Sequence, residues 1–407
     1  MSVALAIRAK RIFDGERMLG AGMVLVEHGR ISAVDVSGAT PPAHAQLIDC
    51  GDNATLLPGL IDCHVHLGLD ATPNALAYLV TSDDATVMEQ MRRAAATALR
   101  AGITTMRDLG DRSYLTLQLR DRHPDGTLLP EIVAAGVPIT TPGGHFAALG
   151  GAAAGPEALR AAVRERADRG CQVVKVMASG GNLTPGSLPH ESQFGLDELR
   201  LIVVEAHRQG LATAAHAHGK AAIIDAFEAG FDTLEHVTFF TAEGVDSDPA
   251  VIERIAQRGT FVSLTVGNVP GAPAPPPGVA QRLPQMLENA RRLCSSGARI
   301  VPGPDGGATP GKPHNVLPYA LQALVDLGMR PVDALRAATV VAAGACGVAD
   351  RKGRIAAGSD ADLLAVTGNP LADIAAIRSV VLVIRGGHIA VDETGAREQA
   401  MPGSSPP

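Results

Sequence analysis

The chain of 407 residues predicts an α/β protein: a (β/α)8 TIM barrel carrying a small β-sandwich domain built from both termini. Three observations predict it. Short apolar stretches alternate with helical ones through the middle of the chain, eight times over. Both ends read as strands and turns. Titratable residues recur where the apolar stretches stop, which in a barrel is the face that carries chemistry.

The elements follow in order. The first ~55 residues read as short strands, with a hairpin over 24–34 turning at His28-Gly29. Apolar runs at 361–366 and 380–389 repeat that style, so residues 1–57 and 352–400 are expected to form one discontinuous β-domain. Residues 401–407, rich in Pro and Ser, read as a disordered tail. The barrel is expected over 58–351, with strands at 56–66, 103–109, 131–139, 173–179, 212–218, 233–238, 261–266 and 299–305. Helices are expected at 85–100, 156–169, 197–209, 219–229, 249–257, 280–296 and 316–327. No GxGxxG loop follows a strand, which disfavours a doubly wound dinucleotide-binding sheet.

Composition narrows the function. A net charge of −7, 3% aromatic residues and no Trp disfavour a nucleic-acid partner. The five cysteines are scattered without CxxC spacing, against both a disulfide framework and a thiolate zinc site. No apolar run is long enough to span a bilayer, and basic residues interrupt the N-terminal one, so neither membrane nor secretion signal is expected. A cytoplasmic protein acting on a small-molecule substrate is the expectation.

The strand ends carry the chemistry. The first closes Asp62-Cys63-His64-Val65-His66, and alternation puts both histidines on one face, able to grip one ion. Cys63 points the other way, into the core. The fourth strand holds Lys175 between valines, where an unpaired ammonium would be costly. The fifth ends Ala215-His216-Ala217-His218-Gly219, the sixth Glu235-His236-Val237, and the eighth Gly303-Pro304-Asp305. Spacing alone leaves open whether His216 or His218 is the ligand. His28, His44, His123, His190, His207 and His388 fall in terminal strands, helices or loops and read as ordinary.

In combination these residues resemble the amidohydrolase superfamily, in its two-metal form with a carboxylated lysine. Thr104 to Gly110, Gly143-Gly144-His145 and Pro313-His314-Asn315 are similar to its imidazolonepropionase-like branch, which includes Xaa-Pro dipeptidases and hydrolases of ochratoxin or carbamates. The resemblance implies that His64, His66 and Asp305 bind a buried metal, that His216 and His236 bind a more exposed one, and that Lys175, carboxylated by CO2, bridges the two. Zinc suits such donors, with manganese, iron or cobalt as alternatives. It further implies a metal-bridging hydroxide attacking an amide carbonyl, with Asp305 as general acid/base. His145 and His218 are implied as oxyanion or substrate contacts, Arg107 and His314 as substrate-binding residues, and a homo-oligomer as the assembly. The family's usual Gly-Thr-Asp is Gly303-Pro304-Asp305 here, and proline removes a backbone donor beside the general base.

The expected reaction is cleavage of an amide bond in a dipeptide, an N-acyl amino acid or a carbamate-like compound. A deaminase, a cyclic-amide or imidazolone ring hydrolase, or a lactone hydrolase is the alternative. Deaminases typically carry HxxE near strand five and lack the lysine; here no Glu follows at that spacing and Lys175 is present. A scaffold that had lost its chemistry would also have lost ligands, whereas all six are in place. The stiff Pro-rich stretch 268–278 would lie over the barrel mouth as a lid or a wall.

Overall fold

The computed structural model describes residues 4–121 and 128–394. The tail at 401–407, the last residues of the expected β-domain and His123 lie outside the described residues.

Eight parallel strands run through the middle of the chain: β1 (Leu60–Val65), β2 (Ile103–Asp108), β3 (Glu131–Ala134), β4 (Val173–Met177), β5 (Ala212–Gly219), β6 (Thr233–Phe240), β7 (Phe261–Leu264) and β8 (Arg299–Pro302). They form a three-stranded sheet, β1–β3, and a five-stranded sheet, β4–β8. Backbone hydrogen bonds join the two. On one side Ile139 N–H donates to Lys175 O at 2.8 Å and Met177 N–H to Ile139 O at 2.9 Å; on the other Asp305 N–H donates to His64 O at 3.0 Å and His66 N–H to Gly306 O at 2.9 Å.

The strands are buried on both faces, which is why they read as continuous apolar runs rather than alternating ones. Helices cover them in the predicted places, among them Asp84–Arg100, Pro156–Asp168, Leu196–Arg208, Lys220–Ala229, Pro249–Arg258, Pro277–Ser295 and Leu317–Asp326. Asp83 and Asp248 cap two of these by accepting from backbone N–H groups of the first turn. Short helices at Ala75–Thr81, Leu115–Asp121 and Pro331–Arg336 were not foreseen; each is too brief for a 3.6-residue pattern to stand out.

The run at 56–66 is not one strand. Ala54–Pro58 pairs antiparallel with Leu363–Thr367, and only Leu60–Val65 joins the eight parallel strands. The break falls at Pro58-Gly59. Any Cβ on Gly59 would sit 2.1 Å from Thr104 Oγ1, so the chain can cross between sheets there only as glycine. The third strand is likewise shorter than 131–139, rejoining the set only at Ile139.

Both chain ends contribute to two further sheets, one of Ala4–Ala9, Gly22–Glu27, Arg30–Asp35 and Ala45–Asp49, the other containing Ala54–Pro58, Leu363–Thr367, Val380–Arg385 and His388–Asp392. Ile7, Val24 and Ile31 of the first share a buried cluster with Leu56, Leu363 and Leu382 of the second. The 24–34 hairpin turns at His28-Gly29 as its sequence implies. Among the described residues no helix is long and apolar enough to cross a membrane.

Candidate metal centre

At the C-terminal ends of the eight strands, four histidines turn one ring nitrogen outward to a fixed partner and the other inward. His64 Nδ1 lies 2.8 Å from Glu235 Oε2, and its Nε2 lies 3.5 Å from Asp305 Oδ1. His66 Nδ1 donates to the Gly110 carbonyl at 3.0 Å, leaving Nε2 3.4 Å from the same Asp305 oxygen. His216 Nε2 donates to the Gly180 carbonyl at 3.0 Å, so its Nδ1 faces inward, 2.9 Å from His236 Nε2. His236 Nδ1 is 3.0 Å from Thr265 Oγ1. Outer partners of this kind set the tautomer and the ring plane of histidines that hold a metal.

Electrostatics keep those inner nitrogens free of protons. Burial pushes His64, His216 and His236 well below the ordinary imidazole range and lowers His66, with neighbouring cations adding to the effect. Asp305 goes the other way. Burial raises its carboxyl, but His64, His66, Lys312 and Lys175 outweigh that and hold it below the usual value, as an anion.

Lys175 is 1% exposed, and its Nζ has no hydrogen-bond partner among the described residues. Burial pulls it down to about 8, against the opposing fields of Glu235 and Asp305. A buried amine without a partner is an anomaly to be explained by what it holds.

The backbone is strained where the site is built. His236 and Asp305 adopt left-handed conformations, φ +70° and +65°, at about 1–3 kcal/mol each for a residue with a side chain. Gly303 lets strand β8 approach His64, since a Cβ there would meet His64 Cβ at 2.6 Å. The Gly-Pro-Asp turn keeps its donor: Asp305 N–H bonds the His64 carbonyl, and Pro304 contributes only its oxygen, which accepts from Lys312 Nζ.

His145 and His218 border the cluster. The His145 ring is 4.8 Å from that of His216, stacks on Phe146 and has Nδ1 engaged with Thr184 Oγ1 at 3.0 Å. His218 stacks on His236 at 4.2 Å with Nδ1 on Thr238 Oγ1 at 2.9 Å. Burial lowers them to about 3 and about 4, so both are neutral at ordinary pH. Inward-facing nitrogen or carboxylate atoms fall into two sets compatible with one ion each, His64/His236/Asp305 and His216/His218/His236.

Two expected substrate contacts are placed elsewhere. Arg107 is 1% exposed and donates to Cys63 O, Thr233 Oγ1, Ala345 O and Glu235 Oε1 (3.0 Å), so its guanidinium is consumed inside the strands rather than offered to a substrate. It lies within β2, inside the strand expected at 103–109. His314 is buried, and its Nε2 donates to the His66 carbonyl at 3.0 Å, supporting that strand end from behind.

Sequence reading passed over Glu235, Lys312 and Thr265. Glu235 is fully buried between Arg107 and His64, and its signal was a carboxylate inside an apolar strand. Cys63 packs into the core as expected, its Sγ 3.8 Å from Cys346 Sγ.

Inward imidazoles and an anionic carboxylate at the ends of parallel strands make a candidate metal centre in an α/β fold. The family model of the amidohydrolase family matches residues 55–390, and the chain belongs to that family. It is thus a hydrolase of carbon–nitrogen bonds. It is 32% identical to ochratoxinase of Aspergillus niger, covering 92% of this chain and 84% of the relative. It is 26% identical to imidazolonepropionase of Salinispora tropica, covering 86% and 87%. Among solved structures it is similar to a Xaa-Pro dipeptidase with methionine bound in its active site, with a TM-score of 0.84, 27% identity and 95% and 99% of the two chains covered.

Proposed function

We propose that this chain is a two-metal amide hydrolase whose substrates are small N-acyl amino acids or dipeptides. The observation that carries the reading is the set of four histidines, three with outer nitrogens hydrogen-bonded and His64 with its own 2.8 Å from Glu235 Oε2, beside anionic Asp305 and a buried Lys175 without a hydrogen-bond partner among the described residues. In this reading His64, His66 and Asp305 would hold one ion and His216 and His236 the other, with Lys175, once carboxylated, as a further oxygen donor to the centre. Its amine lone pair forms a bond to the carbon of CO2, one C=O pair moves onto oxygen, and the N–H proton leaves to water. The result replaces a costly buried amine with an anionic, two-oxygen donor, and an amine lowered to about 8 has the free base needed for that step.

Residues 58–351 would then act as one (β/α)8 barrel with the site at its C-terminal rim, and 1–57 with 352–400 as a sandwich beneath it. Divalent ions bound there, zinc foremost, supply Lewis acidity toward a carbonyl and toward water. The chain's own groups do the rest. Asp305 takes a proton from the attacking water and returns it to the leaving nitrogen. His145 and His218, neutral with Nδ1 engaged, each keep Nε2 free for the carbonyl oxygen as it becomes negative. The methionine bound in the active site of the Xaa-Pro dipeptidase structure fits a substrate with an amino-acid half. The likeness to imidazolonepropionase supports cyclic-amide opening as the second reading.

The test is a hydrolysis screen of metal-reconstituted protein over dipeptides, N-acyl amino acids, carbamates, lactones and amino-heterocycles. Release of an amino acid from an amide is expected. Ammonia release from heterocycles with no amide cleavage would overturn the reading.

A further inference from the structure

We propose that Lys312 is the cation that receives a carboxylate on the amine side of the substrate. The assignment rests on the amide-hydrolase reading and narrows it to substrates whose leaving group is an amino acid.

With Arg107 buried and paired, a substrate anion needs another partner. Lys312 lies in the loop after β8 and is half-buried. Its Nζ donates to the carbonyls of Thr265 at 2.6 Å and Pro304 at 2.8 Å. These two bonds pin the ammonium between the tips of β7 and β8. Its own carbonyl accepts from Gly307 N–H at 2.7 Å, so the loop is closed from both sides around Asp305.

An ammonium has three N–H groups. Two are used, and among the described residues none engages the third, nor does any carboxylate pair with this lysine. Burial lowers this amine below the ordinary lysine value while Asp305 and Asp62 oppose that, and a compact ammonium held only by neutral carbonyls suits one carboxylate oxygen. The bond to the Pro304 carbonyl holds this charge on the residue that directly precedes Asp305, whose own N–H bonds the His64 carbonyl at the site. In the proposed chemistry Asp305 returns its proton to the leaving nitrogen. In an amino-acid leaving group the carboxylate is one carbon away from that nitrogen, and Lys312 is bonded to the carbonyl of Pro304, the residue next to Asp305.

The experiment compares binding of L-phenylalanine and L-phenylalaninamide to the metal-loaded protein by calorimetry, in wild type, Lys312→Met and Lys312→Arg, with thermal melts of each. Wild type is expected to prefer the acid by about tenfold or more, the scale of a charge-assisted hydrogen bond. In Lys312→Met the preference collapses toward one through loss of acid affinity, and Lys312→Arg recovers part of it. Equal weakening of both ligands marks a merely positioning lysine and overturns the assignment, as does an unchanged preference. If Lys312→Met fails to fold, Lys312→Gln, which keeps amide donors and loses the charge, is judged by the same ratio. Failure here is separable from failure of the broader reading: amide cleavage without acid preference sinks Lys312 alone, and acid preference without amide cleavage sinks the hydrolase.

Discussion

Two buried lysines stand at opposite ends of the same strands, and their surroundings differ completely. Lys352, 3% exposed, packs where β3 begins, beside the terminal sheets. Its Nζ bonds Asp362 and lies 3.2 Å from both Glu131 and Asp360, and Arg351 bridges the latter two. Burial alone would raise Glu131, yet Arg351 and Lys352 bring it down to about 2. Lys175, 1% exposed, has no such company. Where every charge is answered within the chain, the cluster is part of the scaffold. Where a charge is buried and unanswered, the fold keeps it for something the chain alone does not contain.

Exchange of each lysine for methionine breaks the comparison most sharply. Lys175→Met is expected to lower kcat/KM by roughly three orders of magnitude or more, because a shared ligand to both ions is lost. Metal content should fall below two per chain, while in metal-free protein the urea midpoint holds or rises, since an unpaired buried amine is replaced by an apolar side chain. Lys352→Met should do the reverse. It strands carboxylates at a buried junction, at a cost on the order of 3 kcal/mol in unfolding free energy, with kcat retained in the folded fraction. Similar stability losses in both variants would erase the distinction.

Much of this was legible in the sequence, for a reason tied to strand geometry. Alternation places His64 and His66 on one face, and their rings lie 5.3 Å apart there. Asp305 and Lys175 stood out as charges in or after apolar runs. Alternation also explains what was missed. Thr233 and Glu235 share a face and both touch Arg107. His236, the next residue, should then point away, but its left-handed backbone turns it back toward the site. No periodicity announces that reversal, so Glu235 and His236 could not both be assigned inward from sequence. Arg107 was read inside its strand, at 103–109, but its acceptors, Cys63, Thr233, Glu235 and Ala345, are distant in the chain, and no local pattern shows that they gather around it.

Glu235 tests whether an answered charge can still serve the site. It pairs with Arg107 on one side and sets His64 on the other, joining scaffold to centre. Glu235→Gln keeps the volume and drops the charge. It is expected to weaken metal binding or activity about 10- to 100-fold, the usual effect of removing an outer partner of a metal-holding histidine. Measured by competition with a chelator, the weakening should appear in the more tightly held ion. An effect confined to thermal stability would place Glu235 with Lys352 instead.

The smallest expected effect concerns acid. His145 is held to about 3 by burial, whereas an unfolded histidine titrates near 6.5. Between those values the unfolded chain carries a proton that the folded one refuses, so stability rises with pH across the window. The contribution is whole above pH 6.5 and drains away as pH falls toward 3, by up to about 1.4 kcal/mol per pH unit. His145→Gln removes one such proton from the balance. In metal-free protein its urea midpoint should therefore fall less steeply than wild type between pH 6.5 and 4. Glu131 offers the control from the other region: its lowered value places its contribution above the ordinary carboxylate range and its loss between 4.5 and about 2, so Glu131→Gln should leave the slope above pH 5 unchanged. If instead His145→Gln leaves that slope untouched, the ring is not held neutral in the fold, and its place beside the deprotonated histidines must be abandoned.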